Sequence, residues 1–271
     1  MEEITELPEP WKGIALEVFN EYWQKLLFEA RKLRASELLY NANPFMLAVE
    51  TEGHPKASNL AEHLIQRRLS HSRETILGST QEELVRRFAQ LRWGNAFKSS
   101  APGIDIEWED NGVRQLVNVK STTEWANSPA RASHIQSFRD VRSRLRDQQT
   151  RSVLFVTAGA DKEWENNNFY VYRGNAAWRW VTGMNLEQML IKEMVDVAQR
   201  HRQLYRREVR KAVLRCQREF ETEPIKRKYP WVGMLTDNTT PPTPAAPLLP
   251  LPSSAVVEEL EDKTVVDAEA A

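Results

Sequence analysis

The sequence contains one cysteine and no long apolar run, and each shortage excludes a class of protein. The single thiol, Cys216, cannot form an intramolecular disulfide framework and suits a reducing cytoplasm. With only five scattered histidines beside it, a structural zinc site of the usual ligand set is not expected. No stretch of about 18 apolar residues occurs, so we expect no membrane-spanning helix. The acidic amino terminus lacks the apolar region of a secretory signal, and we expect none.

The length and composition are those of a folded protein. The 271 residues, 41% of them hydrophobic and 28% charged, suffice to bury a core without disulfides or metals. The net charge of −1 is unevenly distributed, because residues 51–234 carry 31 basic and 22 acidic side chains while both ends are acidic. Such a basic middle is compatible with a nucleic-acid partner and equally with an ordinary solvated surface.

The last 34 residues differ in composition from the rest of the chain. Six of the 14 prolines fall between Pro241 and Pro252, and an acidic stretch follows them. Proline at this density excludes helices and sheet ladders, so we predict that 238–271 is a tail without regular structure. A docking motif for another protein is the alternative.

Apolar side chains at helical spacing predict several helices before and after a central β region. The predicted helices cover 14–34, a short segment opening at Pro44, 58–69, 80–92, 131–147 and 185–220. Ser79 or Thr80 is expected to cap the fourth of these. The last carries Cys216 on its apolar stripe, which makes that thiol a core residue, and a basic face that either follows a phosphate backbone or is simply solvated.

The central region has the alternation typical of strands. Two alternating runs, 104–108 and 113–120, flank Asn111-Gly112, the strongest short signal for a β-hairpin. Continuous apolar residues at 152–157 and 169–172 predict two further strands. Helices and strands in this order predict an α/β fold with a mixed sheet.

The predicted hairpin places an acid and an amine together. With Asn111-Gly112 as the turn, Asp105 lies opposite Asn118, and Lys120 is its diagonal neighbour on the same face. We expect Ile104, Ile106, Val117 and Val119 to occupy the other, core-facing side. The simplest interpretation of the polar face is an ordinary cross-strand ion pair.

The alternative interpretation of that face is metal-assisted phosphodiester hydrolysis. Mg²⁺ binds oxygen ligands and retains several waters, and Asp105 with the main-chain carbonyl of Val119 would supply two ligands. Such an ion polarises a phosphate and lowers the pKa of bound water. Lys120 would orient the attacking water, neutralise developing charge or act as a base.

The spacing from Asp105 to Lys120 resembles the PD-(D/E)xK nuclease signature, and more of the chain resembles type II restriction endonucleases of the PmeII-like group. The segments that carry the resemblance, in order, are 43–48, 77–84, 103–105, 119–121, 125–128 and 172–183. The resemblance implies a restriction-endonuclease-like mixed sheet flanked by helices, with a helical N-terminal region and a long C-terminal helix. It also implies Mg²⁺-dependent cleavage of double-stranded DNA by a homodimer.

The chain departs from the signature at one position. The second acid of the superfamily normally sits two residues before the lysine, and here that residue is Asn118, whose amide brings no charge. Glu82 resembles the helix glutamate that often contributes to such sites and is the first candidate to compensate. Glu83 is the second choice, with Glu124 and Glu107 weaker. The alternative for Glu82 is an acid in the first turn that stabilises its helix.

Residues that follow the signature are candidates for DNA contact. Polar side chains and arginines read base edges and neutralise phosphates, and those nearest the expected metal are Ser121, Asn127, Ser128, Arg131 and His134. A solvated amphipathic helix is the alternative interpretation of this segment. A metal ligand role for His134 is less favoured, because no second ligand lies at helical spacing.

The leading hypothesis is therefore a sequence-specific, Mg²⁺-dependent endonuclease acting as a homodimer, with a cognate DNA methyltransferase as its genetic partner. We expect one nuclease domain over 1–237, made of a helical part at about 1–95, a catalytic core at about 96–183 and a long basic helix at about 185–220. A repair or recombination nuclease of the same fold, and a DNA-binding protein that does not cut, are the alternatives.

Overall fold

The computed structural model describes residues 6–50, 56–121, 128–145, 148–165 and 169–236, with the side chains of 128–131 left outside. Four helices open the fold: α1 (Trp11–Lys32), α2 (Ala35–Tyr40), α3 (Pro44–Glu50) and α4 (Ala57–Trp93). The predicted start of α3 is confirmed, because Asn43 Oδ1 accepts a hydrogen bond from the main-chain nitrogen of Phe45 at 3.0 Å. The predicted tail at 238–271 lies outside the described residues.

Helix α4 corrects one prediction. The two helices expected at 58–69 and 80–92 are a single helix of 37 residues that runs through Gly78. The hydroxyl groups of Ser79 and Thr80 donate to the carbonyl of Ile76, at 2.9 and 2.7 Å, so they bond back within the helix instead of capping a new one. A glycine inside a helix lowers its stability but does not end it when tertiary packing holds both halves.

The sheet has six strands in the order β1-β2-β3-β4-β6-β5 in the described part of the chain. They are β1 (Phe97–Lys98), β2 (Ile106–Asp110), β3 (Val113–Lys120), β4 (Thr150–Val156), β5 (Lys162–Glu165) and β6 (Tyr170–Arg173), with α5 (Ser128–Arg144) between β3 and β4. The pairs β3–β4 and β4–β6 are parallel and the other neighbours are antiparallel. The prediction of an α/β fold with a mixed, restriction-endonuclease-like sheet is confirmed.

The hairpin has the predicted register. Ile106 pairs with Val117 and Asp110 with Val113 around the Asn111-Gly112 turn, where both residues have positive φ. One part of the predicted facing is wrong, because Ile104 packs with Leu116 and Phe138 beneath α5. Ile104 precedes the first residue of β2, so the alternation of the strand does not extend to it.

The remaining helices are α6 (Asn175–Thr182), α7 (Glu187–Phe220), α8 (Glu223–Lys228) and α9 (Pro230–Thr236). Helix α7 matches its prediction, and Cys216 is fully buried on its apolar stripe. Burial raises the pKa of this thiol to about 11, which excludes it as a nucleophile at neutral pH.

The helices cover both faces of the sheet. Helices α1, α4, α6 and α7 pack on the face that contains Ile106, Val117 and Val119. Helix α5 packs on the opposite face, through Phe138 and Val141. Within the described residues no helix has the length and apolar character needed to span a membrane.

Candidate active site

Asp105 lies at the mouth of the hairpin, one residue before β2. Its main-chain nitrogen donates to the carbonyl of Val117 at 2.9 Å, which extends the ladder by one bond. Its carboxylate turns across the strand gap, and Oδ2 accepts a hydrogen bond from the main-chain nitrogen of Val119 at 2.7 Å. The side chain is therefore held between two strands while it stays partly exposed to solvent.

The other side of Asp105 is anchored by β1. The main-chain nitrogen of Ser99 donates to the carbonyl of Asp105 at 3.0 Å. Glu107, which was a weak candidate ligand, is 4% exposed, and its two oxygens accept hydrogen bonds from Ser99 Oγ and Arg114 Nε. Glu107 therefore supports the segment that carries Asp105. Because both of its oxygens already accept hydrogen bonds, it is not available as a metal ligand.

Asn118 is not a surface residue, contrary to the prediction that it shares an open face with Asp105. It is 1% exposed, and its Nδ2 donates to the carbonyl of Gly103 at 2.8 Å. Its Oδ1 is buried with no hydrogen-bond partner among the described residues. The reason for the difference is α5, which covers this face of the sheet, so Asn118 fastens the 101–105 segment to β3 from within.

Lys120 is the last residue of β3. Its main-chain carbonyl accepts a hydrogen bond from Thr157 at 2.9 Å, which fixes the end of the strand against β4. Lys120 and Asp105 both influence the pKa of Glu82 and of His134, which places both charges near these two side chains at one end of the sheet. The predicted acid and amine lie at the same end of the hairpin, Asp105 just before β2 and Lys120 at the end of β3.

Glu82 projects from α4 toward the same point. It lines a cavity of about 210 Å³ together with Asp105, Lys98 and Ser79. Burial, and then the nearby Asp105 carboxylate, raise the pKa of Glu82, while Lys98 and Lys120 act in the opposite direction. The alternative interpretation of Glu82 as a first-turn acid is wrong, because it lies 25 residues inside α4.

Glu83, the second candidate, is engaged elsewhere. It accepts hydrogen bonds from Arg86 at 2.6 and 2.7 Å and from Arg87 at 2.7 Å. The bonds from Arg86 are the first cause that holds the pKa of Glu83 at about 2. Glu83 lies about 100° around the helix axis from Glu82, so it points toward Arg86 and Arg87 and forms ion pairs with them.

The residues expected to contact DNA are described only in part. Ser121 directly follows β3 and is half-buried. On α5, His134 is half-buried near Lys120 and Asp105, and burial first and then Lys120 lower its pKa, with Asp105 opposing. Ser128 and Arg131 lie on the backbone of α5 with side chains outside the described residues, where Asn127 and Glu124 also lie.

Comparison with known families identifies the group to which the chain belongs. Residues 12–202 match the model of a family described as type II restriction endonuclease EcoO109I. The chain belongs to this family. The comparison with curated proteins gives no match.

Membership of the EcoO109I family makes the chain a nuclease of a restriction system and confirms the expected enzyme class at that level. The match spans α1 to the middle of α7 and so includes Glu82, Asp105 and Lys120. It thus covers the elements that bring the candidate site together.

The side chains of this EcoO109I-family site fit a magnesium ion with few protein ligands. Glu82 makes no hydrogen bond or ion pair with a described residue, and two neighbouring carboxylates repel each other until a cation lies between them. Mg²⁺ is commonly held by one or two carboxylates, with waters and substrate phosphate completing its shell. Among the described residues no group of three or more His, Cys, Asp or Glu side chains assembles.

Sequence reasoning missed two parts of the site. Lys98 lines the cavity with Glu82 and Asp105, but the strand that carries it has two residues and gives no readable alternation. Gly103 has φ of 78°, and a Cβ there would collide with Ser137 of α5. The signal for Gly103 was present, since glycine directly before a predicted strand often marks a close approach of two backbones.

Proposed function

We propose that this member of the EcoO109I family is a sequence-specific type II restriction endonuclease that hydrolyses phosphodiester bonds of double-stranded DNA with Mg²⁺. The observation that supports the proposal is that Asp105 and Glu82 line one cavity, with Lys120 near enough to lower the pKa of Glu82. The two acids come from the start of the hairpin and from α4, and the lysine comes from the end of β3.

Asp105 and Glu82 would hold the ion, and the carbonyl of Val119 is the third proposed ligand. The N–H and C=O of one strand residue point the same way, so this carbonyl lies on the side of Asp105, to which the Val119 nitrogen donates. When bound, the ion supplies charge stabilisation and a water of lowered pKa. Lys120 orients the attacking water and neutralises charge on the phosphate.

Asn118 stands at the position of the second acid, but its proposed part is indirect. Its amide holds the carbonyl of Gly103, and through it the loop that ends at Asp105. With Asn118 Oδ1 enclosed, Glu82 is the carboxylate that compensates for the missing acid. This division of roles is a proposal that rests on burial and hydrogen bonding.

DNA would lie across the end of β3 and the start of α5. Ser121, Asn127, Ser128, Arg131 and His134 are the proposed contacts, and they belong to one continuous stretch after Lys120. Polar side chains there would read base edges, while arginine neutralises phosphates. The charge of Lys120 contributes to the lowered pKa of His134, so the two side chains are near each other. This supports a position of His134 beside the scissile phosphate.

The wider assignment follows the resemblance to the PmeII-like group. We propose that residues 1–237 act as one nuclease domain in the cytoplasm, that two copies form a homodimer on a near-palindromic site, and that a cognate DNA methyltransferase protects the host. Two active sites related by a two-fold axis cut both strands of a symmetric sequence, which is why the dimer accompanies the double-strand cut.

Plasmid cleavage tests the proposal. Incubation of the full chain with plasmid DNA and Mg²⁺ should give discrete fragments, with none in EDTA. Lys120→Met should stop the cutting and retain DNA binding in Ca²⁺, measured by gel shift. Uniform degradation, or cutting only of branched DNA, would contradict the restriction assignment and favour a repair nuclease.

A DNA-binding protein that does not cut is the second candidate, and one observation favours it. Among the described residues no group of three or more His, Cys, Asp or Glu side chains assembles, and Asp105 with Glu82 is a small ligand set for a nuclease. Specific gel shifts without fragments over a range of Mg²⁺ and Mn²⁺ concentrations would establish this candidate.

A further inference from the structure

Lys98 is a cation at the candidate active site that the sequence pattern did not predict. It lies on β1, the edge strand, and pairs with Ile106, the residue directly after Asp105. Directly opposed residues of an antiparallel pair lie on the same face of a sheet. Ile106 packs beneath α4, so the side chain of Lys98 leaves the sheet on the face that α4 covers. Glu82 belongs to α4.

The surroundings of Lys98 support a position beside both carboxylates. Lys98, Glu82 and Asp105 line one cavity of about 210 Å³. Of the two lysines that lower the pKa of Glu82, Lys98 acts more strongly than Lys120. Lys98 is nevertheless exposed, so its ammonium group is accessible to a polymer that enters the site.

Most other charges of the cavity neutralise one another. Glu83 is bound by Arg86 and Arg87, and Glu21 accepts a hydrogen bond from Arg87 at 2.7 Å. This leaves Glu82 and Asp105 with Lys98 and the exposed Lys25 in the cavity lining, and Lys120 is near enough to lower the pKa of Glu82. The two carboxylates are matched by the ammonium groups of Lys98 and Lys25, so the cavity carries little net negative charge before any cation or phosphate arrives.

We propose that Lys98 is a second active-site cation, which contacts a phosphate of the bound DNA and weakens the binding of divalent cations to Glu82 and Asp105. The inference rests on the proposed function. A fixed ammonium group supplies positive charge next to the phosphate, where a more acidic site would hold a further metal ion. The same charge repels a divalent ion from the neighbouring carboxylates.

The competing explanation is that Lys98 is an ordinary edge-strand lysine. On that explanation, Lys98 serves only to discourage pairing of the edge strand with other chains, as lysines on edge strands commonly do. The two explanations differ in one measurable respect, because only an active-site cation changes the affinity of the carboxylates for a metal ion.

The test compares Lys98→Gln with Lys162→Gln, a matched control on β5 at the opposite edge of the sheet. Ca²⁺ binding to the full chain is measured by calorimetry, and plasmid cleavage is measured in saturating Mg²⁺. Lys98→Gln should tighten Ca²⁺ binding by roughly 3–10-fold and slow cleavage by about tenfold or more. Lys162→Gln should change neither, and Lys98→Arg, which keeps the charge, should keep the Ca²⁺ affinity of the natural chain.

The outcomes separate this inference from the proposed function. If the natural chain cuts DNA and Lys98→Gln behaves like Lys162→Gln, the inference is wrong and the proposed function stands. If the natural chain binds Ca²⁺ but never cuts, the proposed function fails, while tighter Ca²⁺ binding by Lys98→Gln still supports a cation at this site. A natural chain that neither binds Ca²⁺ nor cuts overturns both.

Discussion

Oδ2 of Asp105 accepts a hydrogen bond of 2.7 Å from the main-chain nitrogen of Val119. The bond ties a side chain at the start of β2 to the strand that ends in Lys120, one residue later. The carboxylate is therefore held by a main-chain group one residue before Lys120, and backbone moves less than side chains do. Precise placement of reacting groups of this kind contributes much of the rate of an enzyme.

Asp105→Asn should abolish cleavage without unfolding the protein. The amide keeps the size of the carboxylate and an oxygen that accepts the bond from Val119, but it removes the charge that binds a cation. We expect the cleavage rate in Mg²⁺ to fall by about 10²-fold or more, with DNA binding in Ca²⁺-free buffer unchanged by gel shift.

Asp110→Asn is the matched control for Asp105→Asn, since it lies at the other end of β2, in the last pair before the turn. This variant should cut at the rate of the natural chain. If Asp105→Asn also retained full activity, Asp105 would not be a metal ligand, and the site would have to lie elsewhere.

Glu82→Gln and Glu83→Gln distinguish two adjacent acids of α4. Glu82 lines the cavity and has no described partner, whereas Glu83 is bound by two arginines. Glu82→Gln should weaken Ca²⁺ binding by at least about tenfold and slow cleavage, both measured on the full chain. Glu83→Gln should change Ca²⁺ affinity and cleavage less than Glu82→Gln does, and the reverse pattern would make Glu83 the compensating acid.

The hairpin and its register could be predicted, because they follow from local rules. Asn111-Gly112 determines the turn, the turn determines the register, and the register places Asp105 next to β3. The long helix α7 and the buried Cys216 follow from helical spacing in the same way.

The burial of Asn118 could not be predicted, because it depends on a different part of the chain. Alternation shows which residues share a face, but it does not show whether that face meets solvent or a helix. Here α5 covers it. The continuity of α4 through Gly78 was missed for a similar reason, since packing against α1 and α7 outweighs a local helix-breaking signal.

Glu83 should make the stability of the fold depend on pH in acid. Its pKa is held at about 2, below the ordinary 4.5, first by hydrogen bonds from Arg86. A lowered carboxyl pKa stabilises the folded state above pH 4.5, and this contribution is lost as the pH falls from 4.5 toward 2. Glu83→Gln should therefore lower the free energy of unfolding at pH 7 by about 1–2 kcal/mol and by less at pH 3.

Urea unfolding at several pH values checks the Glu83 prediction. Glu62→Gln, at an exposed position of the same helix, is the control and should change the free energy of unfolding by less than about 0.5 kcal/mol. A difference between Glu83→Gln and the natural chain that stays constant from pH 7 to pH 3 would contradict the assigned network.

Asn118→Asp restores the acid of the superfamily signature, yet it should destabilise the protein. The amide nitrogen donates to the carbonyl of Gly103 in a fully buried position, and a carboxylate would face that carbonyl with a second acceptor. We expect a loss of about 1–3 kcal/mol in the free energy of unfolding, measured with urea in EDTA. A variant as stable as the natural chain would show that the buried amide does not hold this loop.

Gly103→Ala should combine backbone strain with a collision, and it should disturb the site as well as the fold. Gly103 and Gly112 both have φ near 78°, but an added Cβ at Gly103 would meet Ser137, while at Gly112 it would meet no atom of the described chain within 4 Å. Gly112→Ala therefore reports the strain alone, about 1–2 kcal/mol. Gly103→Ala should cost more than this in urea unfolding, because α5 or the loop has to move.

Since that loop ends at Asp105, Gly103→Ala should also slow Mg²⁺-dependent cleavage under folding conditions, and Gly112→Ala should not. Equal losses of stability in the two variants, with normal cleavage in both, would show that the close approach of Gly103 to α5 does not position the acid.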